Sequence, residues 1–416
     1  MYDIERLKQQ QHFKEDKFWA SHLNFLPENN MGMAGRQVNI HDVTLRDGEQ
    51  TSNLAFSLSD RIRIAEALDD LGVARIEAGM PIISEEVRKG IRKMVDQNFN
   101  SDVVGFCRTN RLDVDLSVDC GVKTVIVEHV MNPYLIQQAY GIDKQKVIDN
   151  CVDVVSYAQE NGLQTSFMGW DMTRCDDLDF LEDVYKQIFA QCSPASIILV
   201  DTLGCALPRA AGYLVKQFKT WLPEAVIEYH NHNEFGLAIG GVVEAVAAGA
   251  ETIHTSINGL GERTGNAATE EVAMMLEVLA GVDTGLNLNK LMETSILLGN
   301  LTNQTIPRNK PIVGRGLFDM ESGIAVDIMR KFKATGFDVP EVSGAYAASM
   351  VGQQEGLPVL GKNSGRATIN YFLEKLGYTA TDDQISELTE RVKAEGRVQR
   401  KLLSETQFKG LCEKVL

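Results

Sequence analysis

The chain has 416 residues, 44% of them hydrophobic, and 41 Lys and Arg stand against 57 Asp and Glu, a formal net charge of −16. This length allows a large barrel plus an appendage, and the acidic balance without any Lys/Arg run argues against nucleic acid as a partner. The first 17 residues are polar rather than an apolar signal core, and no run approaches the roughly 18 apolar residues of a membrane helix. A soluble, cytoplasmic protein with no membrane partner is expected.

Residues 1–37, with the loop-like Asn29-Asn30-Met31-Gly32, read as an N-terminal extension. From residue 38 one unit repeats: a short β-branched apolar run, a polar or Gly-containing turn, then a segment of helical spacing. Strands are predicted at 38–44, 74–78, 103–107, 124–128, 164–168, 196–201, 226–230 and 252–257. Helical spacing occupies 59–71, 84–97, 143–161, 178–191, 209–221, 241–248 and 270–280, several of these opening on Ser or Asp caps. Eight alternations over about 250 residues predict an α/β fold, a (β/α)8 TIM barrel spanning 38–285. No Gly-x-Gly-x-x-Gly turn follows the first strand, which disfavours an open doubly wound sheet. Beyond it, 286–416 reads as a mainly helical appendage, with helices at 286–300, 322–335, 381–397 and 401–415. The seven cysteines are odd in number and form no Cys-x-x-Cys pair, so they read as reduced, mostly packed thiols.

The chemistry gathers where strands end. His41-Asp42-Val43-Thr44-Leu45-Arg46-Asp47-Gly48-Glu49-Gln50 closes the first strand with a guanidinium beside a carboxylate. The Arg keeps the Asp ionised, which suits a divalent cation, or donates to a developing alkoxide; one geometry can serve both. In a strand, i and i+2 face the same way, so His230 and His232 can reach one metal together with Asp47. The plain alternative is a hydrogen-bonded histidine pair. One carboxylate and two imidazoles suit Mn2+, Zn2+ or Fe2+, and Mg2+ with retained waters. Asn266 is either a further ligand or the cap of the following helix. Thr202 either binds a substrate carboxylate or caps the turn before Gly204, Glu262 and Arg263 read as a loop-shaping ion pair, and Trp19, Trp170 and Trp221 read as packing. All these strand ends fall on the face where such barrels hold their sites.

These residues resemble the metal-dependent "LRDGEQ" barrel family of 2-isopropylmalate, homocitrate and citramalate synthases, with hydroxymethylglutaryl-CoA lyases as more distant kin. The likeness runs from about 38 to 366. Its markers are Thr44-Leu45-Arg46-Asp47-Gly48-Glu49-Gln50, Ile76-Glu77-Ala78-Gly79, Asp201-Thr202-Leu203-Gly204, the His-x-His-Asn cluster, Asn258-Gly259-Leu260-Gly261-Glu262-Arg263-Thr264-Gly265-Asn266, Glu321-Ser322-Gly323-Ile324 and Gly361-Lys362-Asn363-Ser364-Gly365-Arg366. The resemblance implies a homodimer that condenses an acyl-CoA with a 2-oxo acid. Asp47, His230 and His232 would hold the metal with Asn266 beside it, and Arg46, Thr202, Gln50 and Arg108 would serve the substrate. Met80, Phe106, Trp170 and His129 could help set pocket size.

Two positions depart from the family. Where its synthases carry an acid/base His after Glu-Ser-Gly-Ile, this chain has Ala325, and its usual Glu-Asp at the end of strand five is Trp170-Asp171. Tyr346 is then the first candidate for the base, with His254 next and His129 a further possibility. Chains of the leucine-pathway type continue into a regulatory domain, and control through one is not expected here. Two rival readings stand beside the condensing enzyme: a metal-dependent C–C lyase or aldolase, and a non-catalytic barrel that binds a metabolite.

Overall fold

The computed structural model of the protein describes residues 4–335 and 344–416. The chain divides into two compact units, Leu23–Ile306 and Met1–His22 with Pro307–Leu416.

The first unit is a closed barrel of eight parallel strands: β1 Asn39–Asp42, β2 Arg75–Glu77, β3 Asp102–Arg108, β4 Thr124–Val130, β5 Gln164–Trp170, β6 Ser196–Asp201, β7 Ile227–Asn231 and β8 Thr252–Thr255. Each pairs with its neighbour in sequence, and β8 closes onto β1 with His254 opposite His41. The surrounding helices are α1 Leu58–Leu71, α2 Glu85–Asp96, α3 Arg111–Cys120, α4 Lys144–Glu160, α5 Leu178–Cys192, α6 Pro208–Trp221, α7 Ala238–Ala248 and α8 Thr269–Met274, the last continuing as a π turn to Ala280. Ser57, Ser84, Asp143 and Asp177 cap α1, α2, α4 and α5 by accepting from backbone N–H groups. The predicted barrel is the observed one, with no strand end moved by more than two residues. The difference matters at β4 and β5, which run on to Val130 and Trp170, so His129 and Trp170 belong to strands and Glu128 lies within one rather than at its end.

Helix α3 escaped the sequence reading because its inner face carries Asp113 and Ser117 among Val114 and Cys120, which breaks the apolar period. Residues 23–37 also belong with the barrel: Asn30 Nδ2 donates to the Ala280 carbonyl at 3.0 Å and Gly35 N to Gly281 O at 2.8 Å. Helix α9, Leu291–Thr302, joins it as well, since the Ser295 carbonyl accepts from Asn258 Nδ2 at 3.0 Å.

The barrel interior is divided. From β3 to β6 it is apolar, with Val104, Phe106, Ile126, Met168, Ile198 and Val200 in one buried cluster. From β7 round to β2 it is polar, with Glu228, His254, His41 and Glu77 fully buried. His41 and His254 stack at 4.1 Å with 12° between their planes. Among the described residues no helix is long and apolar enough to cross a membrane.

In the second unit, Phe13–Lys14 pairs antiparallel with Phe18–Trp19, and the helices are α10 Gly323–Ala334, α11 Arg366–Leu376, α12 Asp382–Gln399 and α13 Glu405–Val415. Ile369, Phe372, Leu388, Val392 and Phe408 form the core of its C-terminal part. Two sequence markers meet here: the Glu321 carboxylate accepts from Asn363 N at 2.9 Å, and a Cβ on Gly323 would stand 2.7 Å from Gly365 Cα. Helix α11 was not anticipated from the sequence; 336–343, between α10 and Tyr346, lie outside the described residues.

Candidate active site

After β1 the chain turns back on Val43, whose carbonyl accepts from Arg46 N and Gly48 N. Thr44 locks this turn: its backbone N donates to Asp42 Oδ1 at 2.8 Å, and its Oγ1 accepts from Ile257 N at 2.9 Å in the loop after β8. Asp47 is thereby held at the barrel mouth, buried. Its Oδ1 accepts from Glu262 N at 3.2 Å, while Oδ2 lies 3.4 Å from His230 Nε2 and 3.3 Å from His232 Nε2. The two imidazole nitrogens are 3.3 Å apart. Ligand atoms at about 2.1 Å from a common ion stand about 3.0 Å apart in octahedral and about 3.4 Å in tetrahedral arrangement, so the triangle matches a cation site.

The donors are also in the right chemical state. Burial pushes the His230 ring down to about 4, leaving it neutral at physiological pH, the form that can bind a cation. Burial alone would raise Asp47, but the hydrogen bonds of His230 and His232 and the charge of Arg46 hold it well below the usual carboxylate range. Asn266 pairs with His232 as an isolated bridge; its Nδ2 donates to the Leu260 carbonyl at 2.8 Å, while its buried Oδ1 has no hydrogen-bond partner among the described residues. Gly265 makes that loop possible, with φ +83° and no room for a Cβ, which would overlap the Gly259 carbonyl.

Arg46 is 9% exposed. Its Nε donates to Glu77, its guanidinium lies 4.4 Å over the Phe106 ring, and Nη1 is 3.7 Å from Asp47 Oδ2. Nη2 has no partner among the described residues and is the donor left for something else. With Gln50 and Glu49, Arg46 lines a cavity of about 320 Å³ walled by Leu54, Phe56, Met80 and Ile83.

The other expected site residues are scattered over different settings. Thr202 Oγ1 accepts from Asp171 N at 2.8 Å, and its carbonyl accepts from Arg263 Nη2, so it ties β5, β6 and the last loop together. Arg263 pairs with Glu262 as expected and with Glu234 as well. Arg108 forms a bidentate pair with Asp113, 2.9 Å through Nε and 2.9 Å through Nη2. His254 has no exposed atom; its Nε2 bonds Glu228 at 2.9 Å and its ring meets His230 edge to face, centroids 5.5 Å apart. His129 bonds its neighbour's carbonyl, Val130 O, through Nδ1 at 2.9 Å. Tyr346 belongs to the other unit, where it lines a cavity of about 620 Å³ with Ala325, Asp319 and Glu321, and burial pushes its phenol up.

The supporting shell was not read from the sequence. His41 Nε2 bonds Glu77 at 3.1 Å and Arg75 bonds Glu228 at 2.6 Å, so the charged groups beneath the site are paired. The signal that could have found them is a carboxylate within a short barrel strand rather than in the loop after it, at Glu77 and Glu228.

Residues 37–298 match the HMGL-like family. Among curated relatives, the homocitrate synthase AksA of Methanothermobacter thermautotrophicus is 32% identical over 91% of this chain and 94% of its own length. The 2-isopropylmalate synthase of Methanocaldococcus jannaschii is 38% identical over 86% of this chain and 68% of its own. Among solved structures, the HMG-CoA lyase of Bacillus subtilis superposes with a TM-score of 0.59 at 21% identity, covering 66% of this chain and 96% of that one, a likeness of fold.

Proposed function

Given that the chain belongs to the HMGL-like family and that synthases stand among its relatives at 32–38% identity, we propose that it condenses an acyl-CoA with a 2-oxo acid. Acetyl-CoA is the first donor to test, and the product is a 2-hydroxy di- or tricarboxylic acid plus CoA. The observation that carries this reading is the convergence of Asp47, His230 and His232 on one point with the spare N–H of Arg46 beside it. A divalent ion there, Mn2+, Mg2+ or Zn2+, with Asn266 Oδ1 as a further donor, would supply Lewis-acid polarisation of a carbonyl.

The residues divide the remaining work. Arg46, fixed by Glu77 and Phe106, presents Nη2 to the oxygen that becomes an alkoxide as the C–C bond forms. Thr202 Oγ1 already accepts from Asp171 N, so its own O–H remains to donate to a substrate carboxylate. Gln50 and Arg108 complete the substrate contacts, the first inside the pocket with Arg46. Water then cleaves the thioester and CoA leaves as the thiol, which draws the reaction forward. We also infer a homodimer, supported by Ile324 and Ile328, one turn apart on α10 and exposed at 76% and 44%. A reducing, cytoplasmic setting is supported by seven free cysteines, six of them buried.

Ala325 favours a second reading, a metal-dependent lyase or aldolase, because a methyl cannot move a proton. One assay separates the readings: thiol release from a panel of acyl-CoAs and 2-oxo acids, with and without chelator. CoA release that needs both substrates and the metal is expected. Cleavage of a hydroxy acid without CoA release would put the lyase first, and neither reaction despite metal binding would leave a metabolite-binding barrel.

A further inference from the structure

We infer that Glu128 is the group that takes the α-proton from the acyl-CoA; this rests on the condensation reading above. Its position follows from the strand. Ile126 lies in the interior cluster, so Glu128, two residues on, points into the barrel as well. Its backbone carbonyl accepts from Thr109 N at 3.1 Å and Thr109 Oγ1 at 2.6 Å, which anchors the strand end that carries it. On the neighbouring strand, inward-facing Trp170 lies opposite Val130 and builds an apolar wall one step above.

The other carboxylates of the mouth are engaged. Asp47 belongs to the cation triangle, and Glu77 is bound by Arg46 and His41. Asp171 is bound by Arg174 and Asn132, and Asp201 by Thr173 and two backbone N–H groups. Glu128 alone among these makes no side-chain hydrogen bond or ion pair to any described residue. Its charged surroundings are Arg46, Glu77, Asp47 and Glu262. Burial, with three acidic neighbours against one guanidinium, pushes its carboxyl up to about 7, where a proton-transfer group works best at neutral pH. The earlier candidates are less suited: His254 is sealed, and the Tyr346 phenol is raised.

The step balances. The α C–H bond breaks and its proton forms the O–H of neutral Glu128; the electron pair left as the enolate forms the C–C bond to the 2-oxo carbon, whose C=O π pair moves onto oxygen as an alkoxide that then takes a proton from water. Loss of that proton to water resets the carboxylate.

The test is exchange of the acetyl-CoA methyl protons into deuterated water, with metal-loaded protein and oxamate as a 2-oxo acid mimic that does not condense. Wild type should exchange, and Glu128→Gln should slow exchange by about 10² or more with unchanged metal content and acetyl-CoA affinity. Exchange in folded Glu128→Gln within a few-fold of wild type would overturn the assignment. If that variant does not accumulate as folded protein, Glu128→Asp decides: its carboxylate sits one methylene back, so exchange at least tenfold slower supports the role and unchanged exchange overturns it. Wild type with CoA release intact but exchange independent of Glu128 defeats this inference alone. Wild type with neither CoA release nor exchange defeats the condensation reading, and the role of Glu128 falls with it.

Discussion

Replacing Arg46 by Met tests whether the charge beneath the site is structural as well as catalytic. Glu77 has no exposed atom, and its two partners are Arg46 Nε and His41 Nε2. Burial pushes its carboxyl up, yet the charge of Arg46 and the bond from His41 more than offset this and bring it from 4.5 to about 2. A carboxyl so displaced is worth on the order of 3 kcal/mol of folding free energy at neutral pH, and removing one member of a buried pair costs about 3–5 kcal/mol. Met fills the space over Phe106 but leaves Glu77 without its cation, so the barrel should lose about 3 kcal/mol at pH 7. The sign of the pH dependence follows from the depressed value. The stabilisation is complete above the unfolded value near 4.5 and fades as pH falls through about 2, so at pH 3 the gap between wild type and variant should be about half as large. Urea unfolding with EDTA present, followed by the emission of Trp170 and Trp221, measures it at both pH values. A gap that is absent at pH 7, or equal at pH 7 and pH 3, would refute the reasoning.

Asp47→Ala, His230→Ala and His232→Ala should each abolish turnover and lower bound metal; full occupancy in all three dialysed variants, by elemental analysis, would remove the site assignment. Arg46→Lys should keep most of the metal but lose kcat by a factor on the order of 10² or more, because an ammonium lacks the fixed fork of donors; near-normal kcat would make Arg46 a structural ion-pair partner only. Gly265→Ala should displace Asn266, since the new methyl collides with the Gly259 carbonyl; unchanged metal affinity and melting temperature in that variant would show that the loop can re-form around a side chain. Divalent metal added to dialysed protein should raise stability by about 2.7 kcal/mol at a hundredfold excess over its Kd, and a melting curve indifferent to metal would contradict a site built into the native state.

The barrel was legible because its strands obey period-two or continuously apolar patterns and its helices announce themselves with Ser and Asp caps. The convergence of Asp47, His230 and His232 was legible for a related reason: the two histidines occupy alternate positions at a strand end, and Asp47 sits in a distinctive turn. What was not legible depends on pairings between strands. His41 meets Glu77, 36 residues on, and His254 meets Glu228, 26 residues back, and no local pattern announces either contact. Helix α3 was hidden by its own buried Asp113, which looks like a surface residue until Arg108 is seen to bind it. Glu128 was passed over because its strand was ended at that residue, and because its lack of a partner is a property of three dimensions.

The polar half of the barrel interior has a charge balance that fits the proposed chemistry. Leaving the imidazoles aside, Arg46 and Arg75 carry two positive charges against Glu77 and Glu228, so the buried plug is neutral and its members are mutually hydrogen-bonded. Asp47 then adds one negative charge at the mouth, held ionised by the surrounding groups. A neutral plug beneath the ionised Asp47 avoids the cost of an unpaired charge deep in the barrel while leaving the mouth attractive to a cation. A divalent ion there would outweigh the charge of Asp47 and give the carboxylate of a 2-oxo acid an advantage over a neutral molecule. Ion pairs replaced by apolar side chains of the same volume are often no less stable, so stability alone does not account for a charged plug in a barrel whose other half is mainly apolar. Orientation does: Arg46 is aimed by Glu77, Glu77 is held by His41, and His230 leans on a His254 that Glu228 holds in place. Each group that points at the mouth is positioned by one that cannot reach it.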